Sequence, residues 1–242
     1  MKQAKIIFIV LAVVLLCSCQ TKSEVKGSPK PKSATQSAIS EKEPENPNDL
    51  KVTNAILDKA KPCHSILADY WLPANYSALE KRADYIVEGY FSKDATQDIK
   101  FYYNMDVKKN IIEDGSCKNT FAITKVLKGN KDIKEAIIHM GYYVVEEKGQ
   151  YSVIYGSQVK PMRKGDYWLM FLTKDEKTNL YYITGDFTGR YPIPSKEQIS
   201  DVKNNKKVRG VSKSSFGMYD EQEVRADEQY FRQIIKRYYI NK

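Results

Sequence analysis

A mainly β domain of the α+β class, antiparallel in its sheet and finished by a C-terminal amphipathic helix, is the fold the sequence predicts, and three observations predict it. Short runs rich in β-branched and aromatic residues recur from Ala83 to Thr184, divided by turn residues. No long helical pattern separates them, as a parallel α/β core would require. Apolar residues then switch to helical spacing at Val224, Phe231, Ile234, Ile235 and Tyr238. Composition agrees: 42% of the 242 residues are hydrophobic and 12% aromatic, which is too much apolar surface for a wholly disordered chain and enough for a packed core.

The elements follow in chain order. Lys2 and Lys5 precede an uninterrupted apolar run, Ile6 to Leu16. As a helix that run rises only about 16 Å, well short of a hydrocarbon core of about 30 Å. A charged start and a short apolar run form an export signal and not a stable span. The residues that follow, Leu16-Cys17-Ser18-Cys19, resemble the lipobox of bacterial lipoproteins. The resemblance implies that residues 1–18 are a lipoprotein signal peptide cut before Cys19, whose thiol carries a diacylglyceryl group with palmitate-like acyl chains. Cys17 fits the pattern less well, because the bulky Leu16 stands where a small residue is wanted. The expected location is the extracytoplasmic face of a bacterial cell membrane, held by the lipid on Cys19. Two or three acyl chains make such an anchor effectively permanent. Loss of Lys2 and Lys5 takes the formal charge from +9 to +7.

Residues 19–50 read as a disordered tether, polar and interrupted by Pro29, Pro31, Pro44 and Pro47. The folded domain is expected over 51–242. Leu50 to Ala60 predicts a short helix, and Ser77-Ala78-Leu79-Glu80 a capping box opening a second. Strands are predicted over 83–91, 99–107, 120–127, 136–145 and 151–155. A hairpin is predicted from 167–172 and 180–184 around a polar loop. The acidic start Asp220 to Glu223 and the basic Arg232, Lys236 and Arg237 suit the dipole of a core-facing helix over 219–240.

Three runs, Ala83 to Gly89, Phe121 to Gly129 with its Val-Leu-Lys-Gly, and Gly165 to Leu172 with its Gly-Asp-Tyr-Trp-Leu-Met-Phe-Leu, resemble a pattern in exported bacterial proteins of unknown role. Their domain is similar to the OB-like barrel of the netrin and metalloproteinase-inhibitor group. The resemblance implies a small OB-like barrel with flanking helices, with Gly129 and Gly165 in tight turns. The zinc-chelating N-terminal cysteine of the inhibitors does not carry over, since Cys19 is acylated and distant from the domain.

Candidate chemistry is sparse. No catalytic residue, metal site or cofactor is assigned: the two histidines, His64 and His139, stand far apart, and phosphate loops, nucleophile elbows and metal-binding spacings are absent. Cys63 and Cys117 form either a disulfide or two separate thiols. Lys203, Lys206, Lys207 and Arg209 are the densest basic cluster, a candidate contact for anionic lipid or wall polymer, with another envelope protein as a further class of partner. Nucleic acid is not an expected partner outside the cytoplasm. The function expected is a non-enzymatic binding or interaction module, which a Tyr-lined groove or an exposed apolar patch favours. The alternative is a cell-envelope hydrolase using a carboxylate pair, with Glu88, Asp166 and Asp186 beside predicted strands.

Overall fold

The strands are β1 Lys61–His64, β2 Tyr85–Phe91, β3 Thr96–Asn104, β4 Lys109–Lys128, β5 Glu135–Met140, β6 Tyr142–Glu147, β7 Gln150–Tyr155, β8 Tyr167–Lys174, β9 Tyr181–Ile183 and β10 Arg190–Tyr191. They are drawn from a computed structural model that describes residues 46–64, 71–156, 160–210 and 224–241, all within the unit Glu43–Lys242. The expected signal peptide, Cys19, the tether to residue 45 and the helix start at 219–223 lie outside the described residues. Among the described residues no helix is long and apolar enough to cross a membrane.

Five strands close a barrel, running β2, β4, β5, β9, β8 and back to β2. The mainly β reading, a barrel with flanking helices, therefore holds. The sheet is not wholly antiparallel, however. β5 pairs β9 in parallel, and β1 pairs β7 in parallel within a separate three-stranded sheet, β1-β7-β6. A parallel pair needs a long crossover, and the chain through β6, β7 and β8 supplies it for β5 and β9. The expected strand 136–145 is two strands split at Gly141, and each half joins a different sheet.

The folded part begins earlier than Lys51. Pro47–Asp49 form a 3-10 turn capped by Asn46, with Pro47 in the first turn, where its fixed φ suits a helix start. Asn48 exchanges two hydrogen bonds with the Ile99 backbone, 3.1 and 2.6 Å, and the Gln97 amide donates to the Pro47 carbonyl at 2.6 Å. Helix α1, Asn54–Lys59, is capped by Thr53. Helix α2, Tyr76–Arg82, is capped by the Asn75 side chain, which accepts from the Ala78 N–H at 2.9 Å. Asn75 thus displaces the expected Ser77 box; a reciprocal capping box forms instead at Ser195 and Gln198 of α3, Lys196–Lys203. Gly129 and Gly165 do take left-handed angles, φ 103° and 93°.

Helix α4, Val224–Ile235, continues into a π turn, Lys236–Ile240. Phe231, Ile234 and Ile235 are fully buried, so the helix faces the core as its spacing predicts. Burying each such side chain contributes about 1.5–3 kcal/mol. The ring of Tyr191 stacks on Phe231 and Tyr76 meets Phe171 edge-on. Strand β2 is consequently buried along nearly its whole length and β8 over Leu169 to Leu172, one face toward the barrel interior and the other under helices.

Candidate functional site

The N-terminal end of β8 carries Tyr167 and Trp168 out of the barrel wall beside Arg190 of β10, which pairs with Met170 of β8. Facing them are Leu57 of α1, Ala60 that caps it, Pro62 of β1, Val153 of β7 and the run Lys160 to Arg163 that leads into β8. Together these enclose a cleft of about 460 Å³, within the range of small-molecule sites. Each wall belongs to a different element, so the cleft exists only where the small sheet and α1 meet the barrel.

Trp168 and Arg190 define its chemistry. Arg190 is fully buried, its guanidinium 5.2 Å from the centre of the Trp168 ring. Its Nη1 donates to the Lys160 carbonyl at 3.2 Å and touches the Met162 sulfur. The indole N–H of Trp168 is buried and has no acceptor among the described residues. An unsatisfied buried donor costs about 1–3 kcal/mol. Lys160, Arg163 and Arg190 face one lining carboxylate, Asp166, which accepts from the Arg163 backbone N–H at 3.0 Å. Arg163 is also paired with Asp58 on α1, 2.5 Å away, which ties one wall to the other. Aromatic and aliphatic walls, cationic groups and a free donor are features that suit an organic anion with an apolar body.

The residues singled out by sequence lie elsewhere. Cys63 is exposed on β1 and Cys117 fully buried on β4, and both are free thiols, so the disulfide alternative is not realised. Burial pushes the Cys117 thiol up, which makes it inert as a nucleophile. Lys203, Lys206 and Lys207 are exposed at and beyond the end of α3. Arg209 departs from that cluster: its guanidinium and N–H bind Asp201 at 2.9 and 3.2 Å and hold that carboxyl below its usual range.

The three strand-edge carboxylates stand in different surroundings. Glu88 is nearly buried, bound by the Lys125 ammonium and by the Tyr239 phenol at 2.7 Å, and so fastens the C-terminal turn to β2. Asp166 belongs to the cleft, and Asp186 opens a 3-10 turn at φ 50°. The Asp175, Glu197 and Asp201 carboxyls are held below their usual range, by the Lys177 N–H, the Glu197 backbone N–H and the Arg209 guanidinium. No described group of three His, Cys, Asp or Glu is placed to hold a metal.

In the sequence, Lys160 to Lys164 stands out as a basic run, and Arg190 ends the turn that opens at Gly185-Asp186. Nothing local marks Arg190 as a buried guanidinium; the Tyr167-Trp168 pair at the start of β8 is the available signal. No family model, curated protein or solved structure matches the chain.

Proposed function

We propose that the chain is a lipid-anchored, extracytoplasmic and non-enzymatic binding module of the bacterial envelope, whose cleft holds a small organic anion. The observation that carries the ligand class is Trp168, a buried N–H without an acceptor in a cleft that also presents Lys160, Arg163 and Arg190. The Lys160, Arg163 and Arg190 cations balance a carboxylate or phosphate, a small turn of the Trp168 ring brings its buried indole N–H to an oxygen of that group, and Tyr167, Pro161 and Leu57 cover the apolar body. A five-stranded barrel closed through one parallel pairing supports the OB-like part of the reading. The exposed Lys203, Lys206 and Lys207 suit an anionic membrane or wall surface.

Protein extracted from cell membranes, with its small molecules released and identified by mass spectrometry, tests the ligand: an organic acid recovered with the wild type and lost with Trp168→Ala supports it. Recovery of nothing, or of the same compounds from both, contradicts it. The anchor is tested separately. If Cys19→Ala leaves palmitate labelling and membrane fractionation unchanged, the lipoprotein reading fails.

A further inference from the structure

Beyond its base, the β3–β4 hairpin leaves the barrel. β2 and β5 pair with β4 only from Cys117 onward, whereas β3 pairs with it from Lys118 back to Lys109. The outer part of the hairpin is thus a two-stranded ribbon, an element marginal on its own in water. It is also where large apolar side chains are exposed: Phe101 40%, Tyr102 46%, Tyr103 56%, Met105 77% and Val107 52%. Successive strand residues face opposite ways, so Phe101 and Tyr103 share one face and Tyr102 has the other. Ile111 and Ile112 stand opposite Tyr102 and Phe101 on the partner strand. A ribbon that docks on a protein groove needs one apolar face and a polar back. A ribbon apolar on both faces and at its tip suits a continuous apolar medium instead. Lys108 and Lys109 flank the tip, with Asp106 in the turn, which suits the headgroup boundary and not the bilayer centre.

The path of the chain points the same way. The 3-10 turn at Pro47–Asp49 is bound to Gln97 and Ile99, so the residues before Asn46 enter the fold at the base of this hairpin. About 26 residues separate Cys19 from Asn46, and a chain of that length reaches at most about 90 Å. From Ile99 to Met105 the strand reaches about 20 Å. The chain before Asn46 is thus long enough for a domain held through Cys19 to meet the surface with its hairpin tip.

We infer that the β3–β4 hairpin is a second membrane contact, inserting Tyr102, Tyr103, Met105 and Val107 into the lipid interface and orienting the domain on its anchor. The inference rests on the lipid-anchor reading, and its test is arranged to be independent of natural acylation. The chain from Cys19 onward, in a Cys63→Ser background, is coupled through the Cys19 thiol to a maleimide lipid in vesicles of phosphatidylcholine and phosphatidylglycerol. With Tyr103→Trp, brominated lipids are expected to quench the added indole emission about twofold, as befits interfacial depth. Adding Tyr102→Ser and Met105→Ser should abolish that quenching, and a Lys177→Trp control, exposed in the β8–β9 turn at the opposite end of the barrel, should show none. No quenching of the Tyr103→Trp emission by brominated lipid, or its protection only when another protein is added, overturns the inference. Failure of palmitate labelling at Cys19 counts against the anchor alone, because the coupled protein does not depend on it.

Discussion

The cleft and the hairpin flank the same barrel and are held in opposite ways. The cleft draws its walls from α1, the small sheet, β8 and β10, and buries a guanidinium between them. The outer hairpin is held by its own ladder and exposes what it would otherwise bury. A site defined by many elements is rigid, with its polar groups fixed in place, which favours a discrete ligand. An element supported only by itself gains most by finding an external apolar phase. Substitutions on the two sides should therefore separate stability from surface binding.

The largest effect is expected on the cleft side. Leu169→Ala, in the fully buried centre of β8, should lower unfolding free energy in urea by about 2–5 kcal/mol. A loss under about 1 kcal/mol would show that β8 is not the support of the cleft. Next, Tyr239→Phe removes the phenol that donates to Glu88 and should cost about 1–3 kcal/mol by the same measurement. On the hairpin, Phe101→Ser and Tyr103→Ser should each change stability by no more than about 0.5 kcal/mol, while reducing vesicle contact. A cost comparable to Leu169→Ala would mean that the hairpin packs as core and would erase the contrast.

The smallest effect is a pH slope at the junction of the two regions. His139 on β5 packs at a tilt against Tyr182, ring centres 5.0 Å apart, and burial lowers its pKa below the ordinary 6.5. Lys118 and Lys100 reinforce that shift, and Asp114 and Asp98 oppose it. The unfolded chain thus takes up the proton first as pH falls. This residue contributes nothing above about pH 6.5 and becomes destabilising below it, in full once the folded imidazole also titrates. His139→Phe should flatten the loss of stability between about pH 7.5 and about pH 5.5. An unchanged slope would assign it to other groups.

Legibility in the sequence follows the same division. Strands with a buried face announced themselves: β2, β7 and β8 and the helical face of Phe231, Ile234 and Ile235 lie where periodicity placed them. The first half of β4 was not legible, because residues 109–116 have no core side and so carry no alternation of apolar and polar positions. The 3-10 turn at Pro47 was hidden by the polar composition that suggested a tether. Of the cleft, only the basic run before β8 and the aromatic pair Tyr167-Trp168 were visible. Arg190 and Leu57 lie far apart in the chain, and only the packing of the small sheet against the barrel brings them to one site.

Calorimetric titration of the cleft with phenylacetate and with its neutral amide tests most directly whether the cleft selects an organic anion. Charge and the free indole donor are expected to favour the carboxylate by about tenfold or more. Trp168→Phe, which keeps a ring and removes the N–H, should reduce that preference, and Arg190→Met should remove it. Equal affinity for acid and amide, or a preference that survives both substitutions, would contradict the claim.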